Sequence, residues 1–191
     1  MEADWELELG SDAPIIDANW PGFIDLRNSP NRIADLQEIQ VLPALANILV
    51  RLNAPTSPVW TAKCDVWQVV EPIDPYELDA APETATHALA CYIDLLPRSD
   101  QQWPIPPRIA AACKAACERL RTVPLGCCRV DLVARQASIA PGIDDLGITA
   151  YITACGPEDT AARHRLAAAA TAFADTLLPA ASPAPTASPL Q

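Results

Sequence analysis

Four segments of the chain alternate between apolar and polar residues with a period of two, and this pattern constrains the fold more than any other feature. The segments are residues 61–69, 88–96, 128–137 and 148–154. Successive side chains of a β-strand point to opposite faces, so each segment has one apolar and one polar face. This alternation is typical of half-buried strands in an antiparallel sheet.

The alternation assigns most residues of the four predicted strands to one of two faces. We predict that the apolar face packs against helices and that the polar face points away from them. The apolar face comprises Cys64, Val66, Leu89, Cys91, Ile93, Leu95, Val130, Leu132, Ile148 and Ile152. The opposite face comprises Lys63, Asp65, Trp67, Tyr92, Asp94, Arg129, Asp131, Arg135, Thr149 and Tyr151.

Three other stretches have the apolar spacing of amphipathic helices. Two shorter strand candidates precede them, at residues 5–9 and 22–26. The order of elements is then β-β-α repeated three times, which predicts an α+β fold, mainly an antiparallel sheet with helices packed on one face. A ferredoxin-like βαββαβ core over residues 22–137 is a second interpretation of the same order. The helical stripes are Leu45, Ile48, Leu49 and Leu52, then Ile109, Cys113, Ala116 and Leu120, then Leu166, Ala170, Phe173 and Leu177.

The length of 191 residues suits one domain. We predict a single α+β domain over residues 1–179, whose first 30 residues form an irregular extension with short strands. Residues 180–191 are rich in Pro, Ala and Ser and have no apolar periodicity, so we predict a disordered tail there. A loop rich in Pro, Asp and Glu is expected at residues 71–83.

The net charge of −11 limits the partners that the chain can bind. Nucleic acids and anionic membrane surfaces attract positive patches, so we expect neither as a partner. No stretch approaches the roughly 20 apolar residues that span a bilayer, and the N-terminus has no apolar run typical of a secretory signal. These features predict a cytoplasmic protein. A basic protein partner is compatible with the charge.

Seven cysteines are distributed along the chain, and none of them forms a CxxC motif. The two histidines lie far from each other in sequence, so the spacing is not that of a zinc site. An odd count without a secretory signal argues against a disulfide framework. We therefore predict reduced, structural cysteines, and we predict no bound metal and no cofactor.

The polar sheet face is the candidate binding site. The leading hypothesis is a non-enzymatic binding or protein-interaction module, with a protein partner or a second copy of the chain on this face. The alternative is a metal-dependent enzyme in which Asp65, Asp94 and Asp131 converge on a cation such as Mg²⁺. No catalytic residue is assigned, and whether the chain is an enzyme stays open. The candidate binding residues are Lys63, Asp65, Trp67, Tyr92, Asp94, Arg129, Asp131 and Arg135.

Overall fold

A computed structural model of the chain describes residues 1–98, 103–140 and 143–178. For residues 143 and 144 it describes the backbone but not the side chains. The predicted tail at residues 180–191 lies outside the described residues. Within the described part, a six-stranded sheet carries helices on one face. The α+β class and the mainly antiparallel sheet are therefore confirmed.

The sheet has the strand order β1-β5-β6-β4-β3, and the short β2 lies beside β5. The pairs β3–β4, β4–β6 and β5–β6 are antiparallel, whereas β1 and β2 run parallel to β5. The strands are β1 (Glu2–Glu8), β2 (Ile16–Asp17), β3 (Val59–Gln68), β4 (His87–Pro97), β5 (Cys128–Ala140) and β6 (Ile143–Gly156).

The helices bury the apolar stripes that their spacing predicts. In α3 the predicted residues are all buried, and Cys117, at the edge of the predicted stripe, is buried as well. In α4 the buried side is wider than predicted because Ala162, Ala169 and Ala174 also reach the core, while Leu177 is only half-buried. The helices are α1 (Glu38–Val41), α2 (Ala44–Asn53), α3 (Pro106–Leu120) and α4 (Asp159–Leu177), with 3-10 turns at Pro30–Asp35 and Pro75–Leu78.

The predicted strand at residues 22–26 is wrong, because a turn occupies this position. The Asp25 carboxylate accepts hydrogen bonds from the backbone and guanidinium of Arg27 and from the Asn28 amide, which curls the chain back on itself. The second strand is instead Ile16–Asp17, paired with β5. The ferredoxin-like interpretation is not confirmed, since its first strand is missing and β6, outside that core, lies between β4 and β5.

Two covers close the ends of the sheet face that points away from the helices. At one end Ile16, Ala18 and Phe23 pack on Trp60 and Leu96. At the other end the chain between β3 and β4 places Leu78 against Ala88 and Cys155. We call the strip of sheet between the two covers the trough. Its floor consists of Lys63, Asp65, Trp67, Ala90, Tyr92, Asp94, Arg129, Asp131, Val133, Arg135, Thr149, Tyr151 and Thr153.

Among the described residues, none of the helices combines the length and the apolar character that crossing a bilayer requires.

Candidate functional site

All eight predicted binding residues lie in the trough, on the face opposite the helices. Their register places Lys63 opposite Asp94 and Asp65 opposite Tyr92. A bulge in β3 between Thr61 and Lys63 adds one residue, so that Ala62 and Lys63 are both directed away from the helices. The structure thus brings these side chains together on one surface. Their role in binding stays a prediction.

Three aromatic side chains form a row across β3, β4 and β6. The ring centroids of Trp67 and Tyr92 are 6.2 Å apart, and those of Tyr92 and Tyr151 are 6.0 Å apart. Both pairs are tilted, as aromatic pairs prefer. Trp67 remains 37% exposed. Burial, together with the nearby carboxylates Asp94 and Asp65, raises the pKa of the Tyr92 phenol, so its hydroxyl stays protonated.

Each arginine of the trough is held by a carboxylate. The Arg135 guanidinium forms an ion pair with Glu8 at 2.8 Å and donates to the Tyr151 hydroxyl at 3.0 Å. The Arg129 Nε donates to both oxygens of Asp131, at 2.8 and 2.9 Å. Positive charge in the trough is therefore largely neutralised, and the two arginines are fixed in position.

Asp94 is the most buried charged residue of the trough, with 9% exposure. One of its oxygens accepts a hydrogen bond of 2.6 Å from the Thr149 hydroxyl. Burial raises the pKa of this carboxyl, and the Thr149 bond together with the charges of Arg135 and Lys63 opposes that rise. Asp94 lines a depression of about 320 Å³ whose wall is built by Ile15, Asp17, Trp20, Lys63, Tyr92, Arg135, Thr149 and Tyr151.

Trp20, which belongs to the N-terminal region that covers one end of the trough, was not among the predicted binding residues. Trp20 donates from its indole nitrogen to the Ala62 carbonyl at 3.2 Å, and the Lys63 ammonium lies 5.8 Å from its ring. Glu8 was missed as well, although it pairs with Arg135. The abundance of tryptophan in a chain with few other aromatic residues is the one signal that could have pointed to Trp20.

The three strand aspartates do not converge as a metal site requires. Asp94 is bonded to Thr149, and Asp131 is bonded to Arg129. The Asp65 carboxylate accepts from the backbone of Val66 and is otherwise exposed. Within the described ranges no group of three or more His, Cys, Asp or Glu side chains is placed to hold a metal ion. The metal-dependent alternative thus lacks a supporting geometry.

Comparison of the chain with protein-family models, with curated proteins and with solved structures found no match. The function proposed below therefore rests on the geometry of the trough.

Proposed function

We propose that the chain is a non-enzymatic binding protein whose trough receives an extended, basic segment of a partner protein. The observation that carries this proposal is the row of Trp67, Tyr92 and Tyr151 on a sheet face that is only partly covered. Large aromatic side chains supply much of the binding energy in protein interfaces, where their apolar rings are removed from water.

The spacing of the row suits an extended chain. In a strand, side chains on the same side are separated by two residues, or about 6.6 Å. The centroid distances of 6.2 and 6.0 Å are close to this repeat. An extended segment that crosses β3, β4 and β6 would therefore place alternate side chains on successive rings.

The charge of the trough favours a basic segment. Arg129 and Arg135 are already paired, and Lys63 forms no ion pair within the described part of the chain. Asp17 and Asp94 line the depression with Lys63, and Asp65 lies exposed on the same strand as Lys63. The neighbouring strand β1 adds a row of carboxylates along the same face. A lysine or arginine of the partner would gain from the exposed carboxylates Glu2, Glu6 and Asp65 and from cation–π contact with the exposed Trp67 ring. The row on β1 consists of Glu2, Asp4, Glu6 and Glu8.

The state of the polar groups supports binding rather than catalysis. Thr149 and Asp94 are hydrogen-bonded as a hydroxyl nucleophile and its base would be, but both side chains are nearly inaccessible to a substrate. The exposed groups of the trough are instead the Trp67 ring and the charged side chains Lys63 and Asp65, which are suited to recognition.

The test uses two synthetic heptapeptides, one alternating lysine with valine and one alternating glutamate with valine. Isothermal titration calorimetry should show binding of the lysine peptide that weakens with added salt, and no binding of the glutamate peptide. Trp67→Ala should weaken the binding about tenfold or more, which corresponds to about 1.4 kcal/mol. Tyr76→Ala is the matched control because Tyr76 is 82% exposed but does not line the trough.

Equal binding of the two peptides, or equal affinity of the Trp67→Ala and Tyr76→Ala proteins, would contradict the proposal. Circular dichroism of each variant shows whether a loss of binding comes from a loss of fold. Asp65→Asn tests the contribution of the carboxylates separately from that of the rings, because it removes a charge from an exposed position and leaves every ring in place.

A further inference from the structure

Two cysteines face each other where β5 begins and β6 ends. Cys128 is paired with Ala154, so the preceding residue, Cys127, comes opposite Cys155. The Cys155 amide donates to the Cys127 carbonyl at 2.9 Å, and both cysteines pack in one small apolar cluster with Leu78 and Ala88. This backbone hydrogen bond holds the two residues next to each other, and a disulfide spans Cα atoms about 4.4–6.8 Å apart.

The backbone of Cys127 has a conformation that is unusual for a cysteine. Its φ of 61° lies in the left-handed region, which residues with a Cβ rarely adopt. Its thiol is half-buried, whereas that of Cys155 is buried. The adjacent Cys128 belongs to the helix-side core, where its thiol donates to the Arg165 carbonyl of α4. Only Cys127 of these three therefore combines contact with solvent and a thiol neighbour.

We propose that Cys127 and Cys155 are a modification site, at which a small disulfide such as oxidised glutathione produces a reversible disulfide bond. The Cys127 thiolate attacks one sulfur of oxidised glutathione, and the first glutathione leaves as a thiol. The Cys155 thiol then loses its proton and attacks the Cys127 sulfur, which releases the second glutathione. Two protein thiols are oxidised, and one small disulfide is reduced to two thiols.

The surroundings set the order of these two steps. Burial raises the pKa of the Cys155 thiol to about 11, and the nearby Arg165 partly opposes that rise. A buried thiol with a raised pKa is a poor first nucleophile toward a reagent in solvent, so the attack starts at Cys127. Cys155 reacts second because the mixed disulfide is then held beside it.

The other cysteines of the chain are less suited to pairing. Cys113 and Cys117 lie four residues apart on one helix, with both side chains in the core. Cys64 and Cys91 lie on neighbouring strands, but Cys64 is opposite Ile93 and Cys91 is opposite Val66, so the two cysteines are not directly paired. Both thiols belong to the helix side of the sheet. Burial raises the pKa of the Cys64 and Cys113 thiols to about 12.

The experiment treats the full chain with millimolar oxidised glutathione under native conditions and digests it with trypsin without reduction. The expected product joins the peptide of residues 122–129, which contains Cys127, to that of residues 136–163, which contains Cys155. Dithiothreitol should separate the two peptides. Because Cys128 lies in the same peptide as Cys127, the Cys128→Ser protein is the matched control and should still form the link.

Three results would overturn the proposal: a glutathione adduct that persists on Cys127 without a link, a link that requires Cys128, or no reaction with the native chain. Cys127→Ser and Cys155→Ala should both abolish the link, and circular dichroism should show that they fold. If Cys155→Ala does not fold, the Cys127→Ser protein with the Cys128→Ser control decides the question alone.

Discussion

The Thr149 hydroxyl donates a hydrogen bond of 2.6 Å to Asp94 across β6 and β4, at a place where both side chains are buried. Removal of the donor leaves an oxygen of this largely buried carboxylate without its hydrogen-bond partner. We therefore expect Thr149→Val to lower the free energy of unfolding by about 1–3 kcal/mol. Thr149→Ser retains the hydroxyl and should lose much less. Urea unfolding of the three proteins measures the difference, and equal losses for Val and Ser would show that the bond contributes nothing.

Asp94 should also make stability depend on pH. Burial raises its folded-state pKa above the value of the unfolded chain, so the folded protein binds more protons between the two values. The contribution of Asp94 to stability is then largest below the unfolded pKa and is lost as the pH rises through the folded pKa. Asp94→Asn removes this titration. The stability of the variant relative to the native chain should increase over that window, and parallel pH curves for the two proteins would contradict this expectation.

Gly156, at the end of β6, should tolerate no side chain. A Cβ at this position would lie 2.6 Å from the backbone nitrogen of Ala162 in α4, and this backbone cannot move without shifting the helix. We expect Gly156→Ala to destabilise the fold by about 1–3 kcal/mol, as overpacking does. Gly10 is the control because a Cβ there meets nothing within 4 Å. A Gly156→Ala protein with the thermal midpoint of Gly10→Ala would show that α4 can move away from β6.

Divalent cations provide a test of the metal-dependent alternative. Since Asp94 and Asp131 are bonded to protein groups, millimolar Mg²⁺ or Mn²⁺ should leave the thermal midpoint nearly unchanged. A native-state site would stabilise the fold by about 2.7 kcal/mol at a hundredfold excess of cation over its dissociation constant, or by roughly 6–10 °C for a domain of this size. A rise of this size that is lost in Asp131→Asn would favour the enzyme.

The strands and the direction of their side chains could be predicted from the sequence because period-two alternation is a local property. Residues such as Tyr92 and Asp131 are assigned to the correct face by their neighbours alone. The segment at residues 22–26 shows the limit of this reasoning. It shares an apolar-Asp-Leu ending with β4 and β5, yet Asp25 closes a turn with Arg27 there. A four-residue pattern does not distinguish these two outcomes.

The strand order and the covers of the trough could not be predicted because they depend on contacts between distant residues. The pairing of Glu8 with Arg135, which fixes one end of the aromatic row, joins positions 127 residues apart. The packing of the Ile16 and Phe23 side chains on Trp60 is likewise independent of local periodicity. The sequence therefore predicts which side chains share a face, but not which parts of that face stay open.

The pairing of β1 with β5 joins two strands that are synthesised at well-separated times. The ribosome makes β1 before its partner residues 129–135, which follow about 120 residues later in the chain. During that interval the backbone N–H and C=O groups of β1 have no partner strand, and such groups can pair with another chain. Its alternate carboxylates Glu2, Asp4, Glu6 and Glu8 would repel a second copy in register. We therefore expect these charges to disfavour pairing between nascent copies of β1 before β5 is made.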